Sequence, residues 1–77
     1  MKFFAEMIEP KVRYGTDTSS SNILDIFDFI KKTDPEIPLT LPDGRGANYD
    51  NGLKELKEPL SSTILYHGQN KWIVTSM

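Results

Sequence analysis

His67 is the only histidine, the side-chain type suited to acid–base chemistry near neutral pH, so it limits the acid–base chemistry open to the chain. A nucleophilic pair would need a hydroxyl beside that imidazole, and Ser61, Ser62 and Thr75 are the candidates. Their spacing reproduces no catalytic motif. His67 also stands just before the turn signal Gly68-Gln69-Asn70, where a strand end facing solvent is expected. No catalytic residue is therefore assigned, and the chain is read as non-enzymatic. A single histidine cannot build a multi-histidine metal site, and the absence of cysteine removes thiolate zinc sites and disulfides. Neither a metal nor a cofactor is expected.

The second stretch with chemical content runs from Asp43 to Gly52. Gly44, Arg45 and Gly46 ahead of a short helix could offer backbone N–H groups and a guanidinium to a phosphate. The Gly-Lys-Ser/Thr that completes a phosphate loop is missing. Asn48, Asp50 and Asn51 supply oxygens without the twelve-residue spacing or closing Glu of a calcium loop. A long turn whose Gly, Asn and Asp satisfy their own backbone accounts for the same residues. If the stretch binds a macromolecule, Arg45 and Tyr49 are the anchors, because a rigid guanidinium fork and an amphipathic ring are the types enriched at hot spots. If it binds a small molecule or nucleotide, the expected set is Gly44, Arg45, Gly46 and His67.

From Pro42 to Asp50 the residues Pro42, Gly46, Asn48 and Asp50 resemble the Pro-x-x-x-Gly-x-Asn-x-Asp stretch of barstar-like ribonuclease inhibitors. The resemblance implies an inhibitor in which Asp50 contacts the partner. Gly52 departs from it, standing where that family has an apolar helix residue, and no further helices are expected beyond a short one at 53–57. The chain is not assigned to the family on this basis.

These groups need elements to hold them. Residues 3–8 are apolar and short, a strand stopped by Pro10; Val12 and Tyr14 then alternate up to Gly15. The polar run 16–22 is rich in helix-capping types, and any of Ser19 to Asn22 is a candidate cap, with Asp25 completing a capping box. Ile23, Ile26, Phe27 and Ile30 repeat at helical spacing, Leu24 widens their stripe, and Asp34-Pro35 ends the helix. Phe29 falls beside that stripe, so it is either covered by a thick core or forms an apolar helix edge for a partner or second copy. Ile37, Leu39 and Leu41 alternate among prolines, as in an edge strand, and Pro42-Asp43-Gly44 is a turn. Residues 53–57 form a short helix capped by Asp50 or Asn51, with Leu53, Leu56 and Leu60 inward. Residues 63–67 and 71–75 are β-rich and pair as a hairpin, whose Trp72 anchors the core.

The fold class expected is α+β: a small, mostly antiparallel sheet of the N-terminal strand and C-terminal hairpin, packed by one main amphipathic helix, with a second short helix. Residues 1–77 make one domain, and at that length only ~60% of the unfolded surface is buried, so self-association is an open route to further burial. Nine basic against eleven acidic residues give a net charge of −2. That balance disfavours nucleic acid, which would have to be held by Lys54, Lys57, Lys71 and Tyr66. No segment approaches the ~20 apolar residues of a membrane span, and a cysteine-free chain fits the cytoplasm. The function expected is a small cytosolic interaction module, an inhibitor or modulator in the style of phage and mobile-element accessory proteins. Its contacts would be Arg45, Tyr49, Asp50 and Phe29, on a protein partner or in a homodimer.

Overall fold

The computed structural model describes residues 2–9, 17–32, 34–56 and 58–77. Among them the order is β1 (Phe3–Glu9), β2 (Asp17–Ser20), α1 (Ile23–Ile30), β3 (Leu39–Thr40), α2 (Tyr49–Glu55), β4 (Ser62–His67) and β5 (Asn70–Ser76). The strands form one antiparallel sheet in the order β2-β1-β5-β4-β3, so the α+β class expected from sequence holds. Two of those strands flank a pairing that the sequence does foretell. β1 lies directly against β5 of the hairpin, with Phe3 opposite Ser76 and Ala5 opposite Val74. A bulge at Ile8 shifts the register between Met7 and Glu9.

The helix face of the sheet carries the core. Strand alternation turns Phe3, Ala5, Leu65, Trp72 and Val74 toward α1, whose Ile23, Ile26, Phe27 and Ile30 pack onto them. Leu39, Leu41 and Leu56 close the same cluster from β3 and the end of α2. Leu24 stays exposed, so the helix stripe is narrower than the periodicity alone suggests. Asn22 is the cap of α1, its Oδ1 accepting from the Leu24 N–H at 3.0 Å. Asp25 completes no capping box there; its carboxylate accepts from the Ser20 hydroxyl instead, tying the helix start to the end of β2.

Several expectations are corrected. The polar run before α1 is partly a strand: Asp17–Ser20 pairs with β1 because that outer edge offers ladder bonds that even a polar segment can take. The second helix begins at Tyr49, not Leu53, and its cap is Asn48. Asn48 Oδ1 accepts from Asn51 N–H while Asn51 Oδ1 accepts from Asn48 N–H, a reciprocal box that outweighs the poor helix propensity of Gly52. The hairpin loop is two residues, since Asn70 already pairs with His67, and Gly68 supplies the positive φ of +62° that such a tight turn requires. Val12 and Tyr14, Lys57 and the side chain of Leu53 lie outside the described residues.

The β3 edge is covered by its own chain. Leu39 O accepts from Ala47 N–H at 2.7 Å, Thr40 bridges to Gly46, and Leu41 N–H donates to Arg45 O at 2.8 Å. Residues 45–47 therefore occupy ladder groups that would otherwise be open to another strand.

Candidate functional site

The segment from Leu41 to Asn51 is a chain of closed hydrogen bonds. Gly44 N–H donates to Leu41 O at 2.9 Å, closing the turn that Pro42-Asp43 initiates. Asp43 then clamps Arg45 twice: Oδ1 accepts from its backbone N–H at 3.0 Å and Oδ2 from Nε at 2.6 Å. The backbone N–H of Arg45 holds the Asp43 carboxyl below the ordinary carboxylate value; slight desolvation opposes it, and the guanidinium adds to the lowering. Asn51 Nδ2 donates to Gly46 O at 2.6 Å, joining the turn to the first turn of α2. The glycines, Asn and Asp of this stretch thus satisfy their own backbone, as the turn reading expects.

This bonding leaves side chains outward. Residues 42–46 and 48–50 are exposed, with the Arg45 side chain 54% accessible and Tyr49 50%. Arg45, Tyr49 and Asp50 are thereby brought onto one short continuous stretch at the β3 edge and the start of α2. Beside it Leu41, Pro42, Asp43, Arg45 and Thr63 line an open cleft of about 240 Å³. That is below the ~300–1,000 Å³ of typical small-molecule pockets. The guanidinium at its mouth is matched by the Asp43 carboxylate, so an incoming anion would compete with an existing ion pair.

The other candidates lie elsewhere. Phe29 is half-buried and meets Trp72 edge to face, with ring centroids 6.0 Å apart, so it extends the core over β5 and does not join the Arg45 stretch. His67 is not a solvent-facing strand end. It is 2% exposed, on the core face of β4, and its Nε2 donates to the Asp34 carbonyl at 2.9 Å. Since a carbonyl only accepts, that nitrogen carries the proton, and the ring fastens the α1–β3 connection to the sheet. Gly46 bridges Thr40, which pairs with Tyr66, so β3 and ~10 Å of sheet separate Gly46 from His67, whose buried ring is turned to the core and bonded to Asp34 rather than joined to Gly44, Arg45 and Gly46. Of the lysine–tyrosine set, Tyr66 and Lys71 are cross-strand neighbours, while Lys54 is on α2.

Two features had no clear signal in the sequence. Leu60, expected inward, is 83% exposed and holds a φ of +65°. Its N–H donates to Ser76 O at 2.7 Å, and the fully buried Ser76 hydroxyl donates to Glu58 O at 2.5 Å while accepting from Ser61 N–H. Only the pairing of residues 58–61 with the end of β5 creates that conformation. The other is Trp72, whose buried Nε1 has no hydrogen-bond partner among the described residues. Among those residues no cluster of His, Cys, Asp or Glu suits a metal, and no helix is long and apolar enough to cross a membrane. Comparison with protein-family models, with curated proteins and with solved structures finds no match.

Proposed function

We propose that the chain is a small interaction protein, an inhibitor or modulator that works by occupying the surface of a protein partner through Arg45, Tyr49 and Asp50. The observation that carries this reading is the bonded stretch 41–51, which presents those exposed groups on backbone that is already ordered. Pre-ordering lowers the entropic cost of association, and Arg and Tyr are the types that dominate interface energetics. Asp50 in the first turn of α2 adds an acid to the same surface. The small size, the lack of cysteine and the near-balanced charge suit a cytosolic setting and the accessory-protein style, and disfavour nucleic acid.

Affinity capture from a lysate of the source cell at physiological salt tests the reading, with Arg45→Ala/Tyr49→Ala run in parallel. A protein retained by the wild type and lost by the double variant, with unchanged circular dichroism, is the expected result. Equal recovery by both, or by neither, overturns it.

The small-molecule alternative rests on one observation, the cleft beside Arg45. It predicts thermal stabilisation by inorganic phosphate or a nucleotide that Arg45→Ala removes.

A further inference from the structure

The sheet has a second face, away from α1, and its residues are at odds with a surface that meets only water. The solvent side of an antiparallel sheet is ordinarily polar. Here Ile64 of β4 stands directly opposite Ile73 of β5, with Tyr66 two positions along β4 and Phe4 on β1. The charges are also badly placed for an isolated chain. Glu6 of β1 lies directly opposite Asp17 of β2 on this face, and like charges paired across strands are destabilising. Lys71 of β5 shares the face, one diagonal step from Glu6. Among the described residues none of these three groups makes an ion pair.

We propose that this face docks on the same face of a second copy of the chain. The choice of occupant comes from the register. Residues sharing a face recur every ~6.8 Å along a strand, and strands lie ~4.8 Å apart. A two-fold axis in the plane of contact, running diagonally across β5, sets Glu6 of each copy over Lys71 of the other. The same axis brings Asp17 beside that lysine, Phe4 over Tyr66, and Ile64 and Ile73 together at the centre. One operation thus answers both the unpaired acids and the apolar residues, which is the self-complementarity that an isologous contact requires. The area fits a weak dimer that forms at high concentration. The five strands, two to seven residues long at ~3.4 Å per residue and ~4.8 Å apart, present a face of roughly 420 Å² in plan, about half the ~800 Å² per partner of a standard stable interface. The contact leaves the Arg45 stretch uncovered in both copies, so this inference and the proposed function can fail separately.

Sedimentation or light scattering from micromolar to near-millimolar chain is the test. The wild type should rise from its 8.8 kDa chain mass toward twice that value. Glu6→Lys and Lys71→Glu should each weaken the dimer about tenfold, as loss of a cross-interface charge pair does. The double swap Glu6→Lys/Lys71→Glu should recover part of it, since the pair is restored while Asp17 meets a carboxylate at position 71. Glu6→Lys carries an opposite second readout: it relieves the repulsion with Asp17, so the dilute monomer should melt higher while the dimer loosens. Ile64→Thr, which keeps a strand-forming residue, should weaken association with the circular dichroism spectrum retained. A chain that stays monomeric throughout overturns the proposal. So does a dimer that ignores the single swaps or is not rescued by the double one.

Discussion

Gly52→Ala poses helix propensity directly against packing. Gly52 is buried in α2 facing α1, and a Cβ built on it would sit 2.6 Å from Phe27 Cζ, 3.3 Å from Cε2 and 3.6 Å from Ile23 Cγ1. Carbon atoms pack best at ~3.5–4.0 Å, so the ring tip must retreat by about 1 Å. Phe27 is only 6% exposed, and its helix neighbours Ile23 and Ile26 are 1% and 0% exposed, so the ring has little room to move. Overpacking of this kind costs ~1–3 kcal/mol. Against it, alanine is better than glycine in a helix by ~0.8–1.0 kcal/mol. The net expectation is destabilisation of about 1 kcal/mol, a fall in Tm of roughly 4–8 °C for a domain this small. Urea and thermal denaturation followed by circular dichroism measure it. The control is the same substitution in a Phe27→Leu background. There the ring tip is gone, and Gly52→Ala should turn neutral or stabilising by up to ~1 kcal/mol, leaving a coupling of 1–2 kcal/mol in the double-mutant cycle. If Gly52→Ala stabilises the wild type by the full helix-propensity gain, the close approach of the two helices is wrong.

At Leu60 glycine should be the more stable of two truncations. The left-handed backbone costs an L-residue ~1–2 kcal/mol, so Leu60→Gly should exceed Leu60→Ala by about 1 kcal/mol, the reverse of the order at an ordinary position; equal stabilities would deny the positive φ. Ser76→Ala should cost ~0.5–1.5 kcal/mol in chemical denaturation, because Glu58 O and Ser61 N–H lose the hydroxyl and keep only their own 3.3 Å bond. An effect within error would mean that water replaces the hydroxyl. The Asp43 carboxyl should titrate below the ordinary aspartate value by NMR, and Arg45→Ala should restore only part of the difference, since the backbone N–H is the larger cause. The sign follows from a depressed folded-state pKa: its small stabilisation is present above the unfolded value and fades as pH falls through the folded one. Full restoration by Arg45→Ala would make the guanidinium the main cause.

What could be read beforehand rests on particular residues with local meaning. The repeat of Ile23, Ile26, Phe27 and Ile30 identifies the main helix and the face it buries, because helical spacing alone puts them together. Pro42-Asp43-Gly44 identifies a turn that the Gly44–Leu41 hydrogen bond then closes. The β-branched runs around Gly68 identify the hairpin. The exposure of Arg45 and Tyr49 also follows from turn chemistry, because a segment that bonds its own backbone leaves its long side chains outside. The failures share a cause. Asp-Thr-Ser-Ser reads as a cap or turn and becomes a strand only because the edge of β1 is there to pair with. Gly52 reads as a helix breaker and sits inside α2 because the Asn48–Asn51 box starts the helix earlier and because Phe27 leaves no room for a side chain.

By itself, then, the sequence determines the α+β class, the amphipathic helix, the hairpin and the absence of thiol or multi-histidine chemistry. Each depends on residue type and on spacing within one segment. The tertiary structure alone decides that His67 is buried against the Asp34 carbonyl, that Leu60 is held outward, and that Glu6 faces Asp17 on the sheet face that carries the half-buried Phe4, Ile64 and Ile73. Those relations join residues that are distant in the chain. Strand order and register create them, and no local periodicity encodes which strand lies beside which.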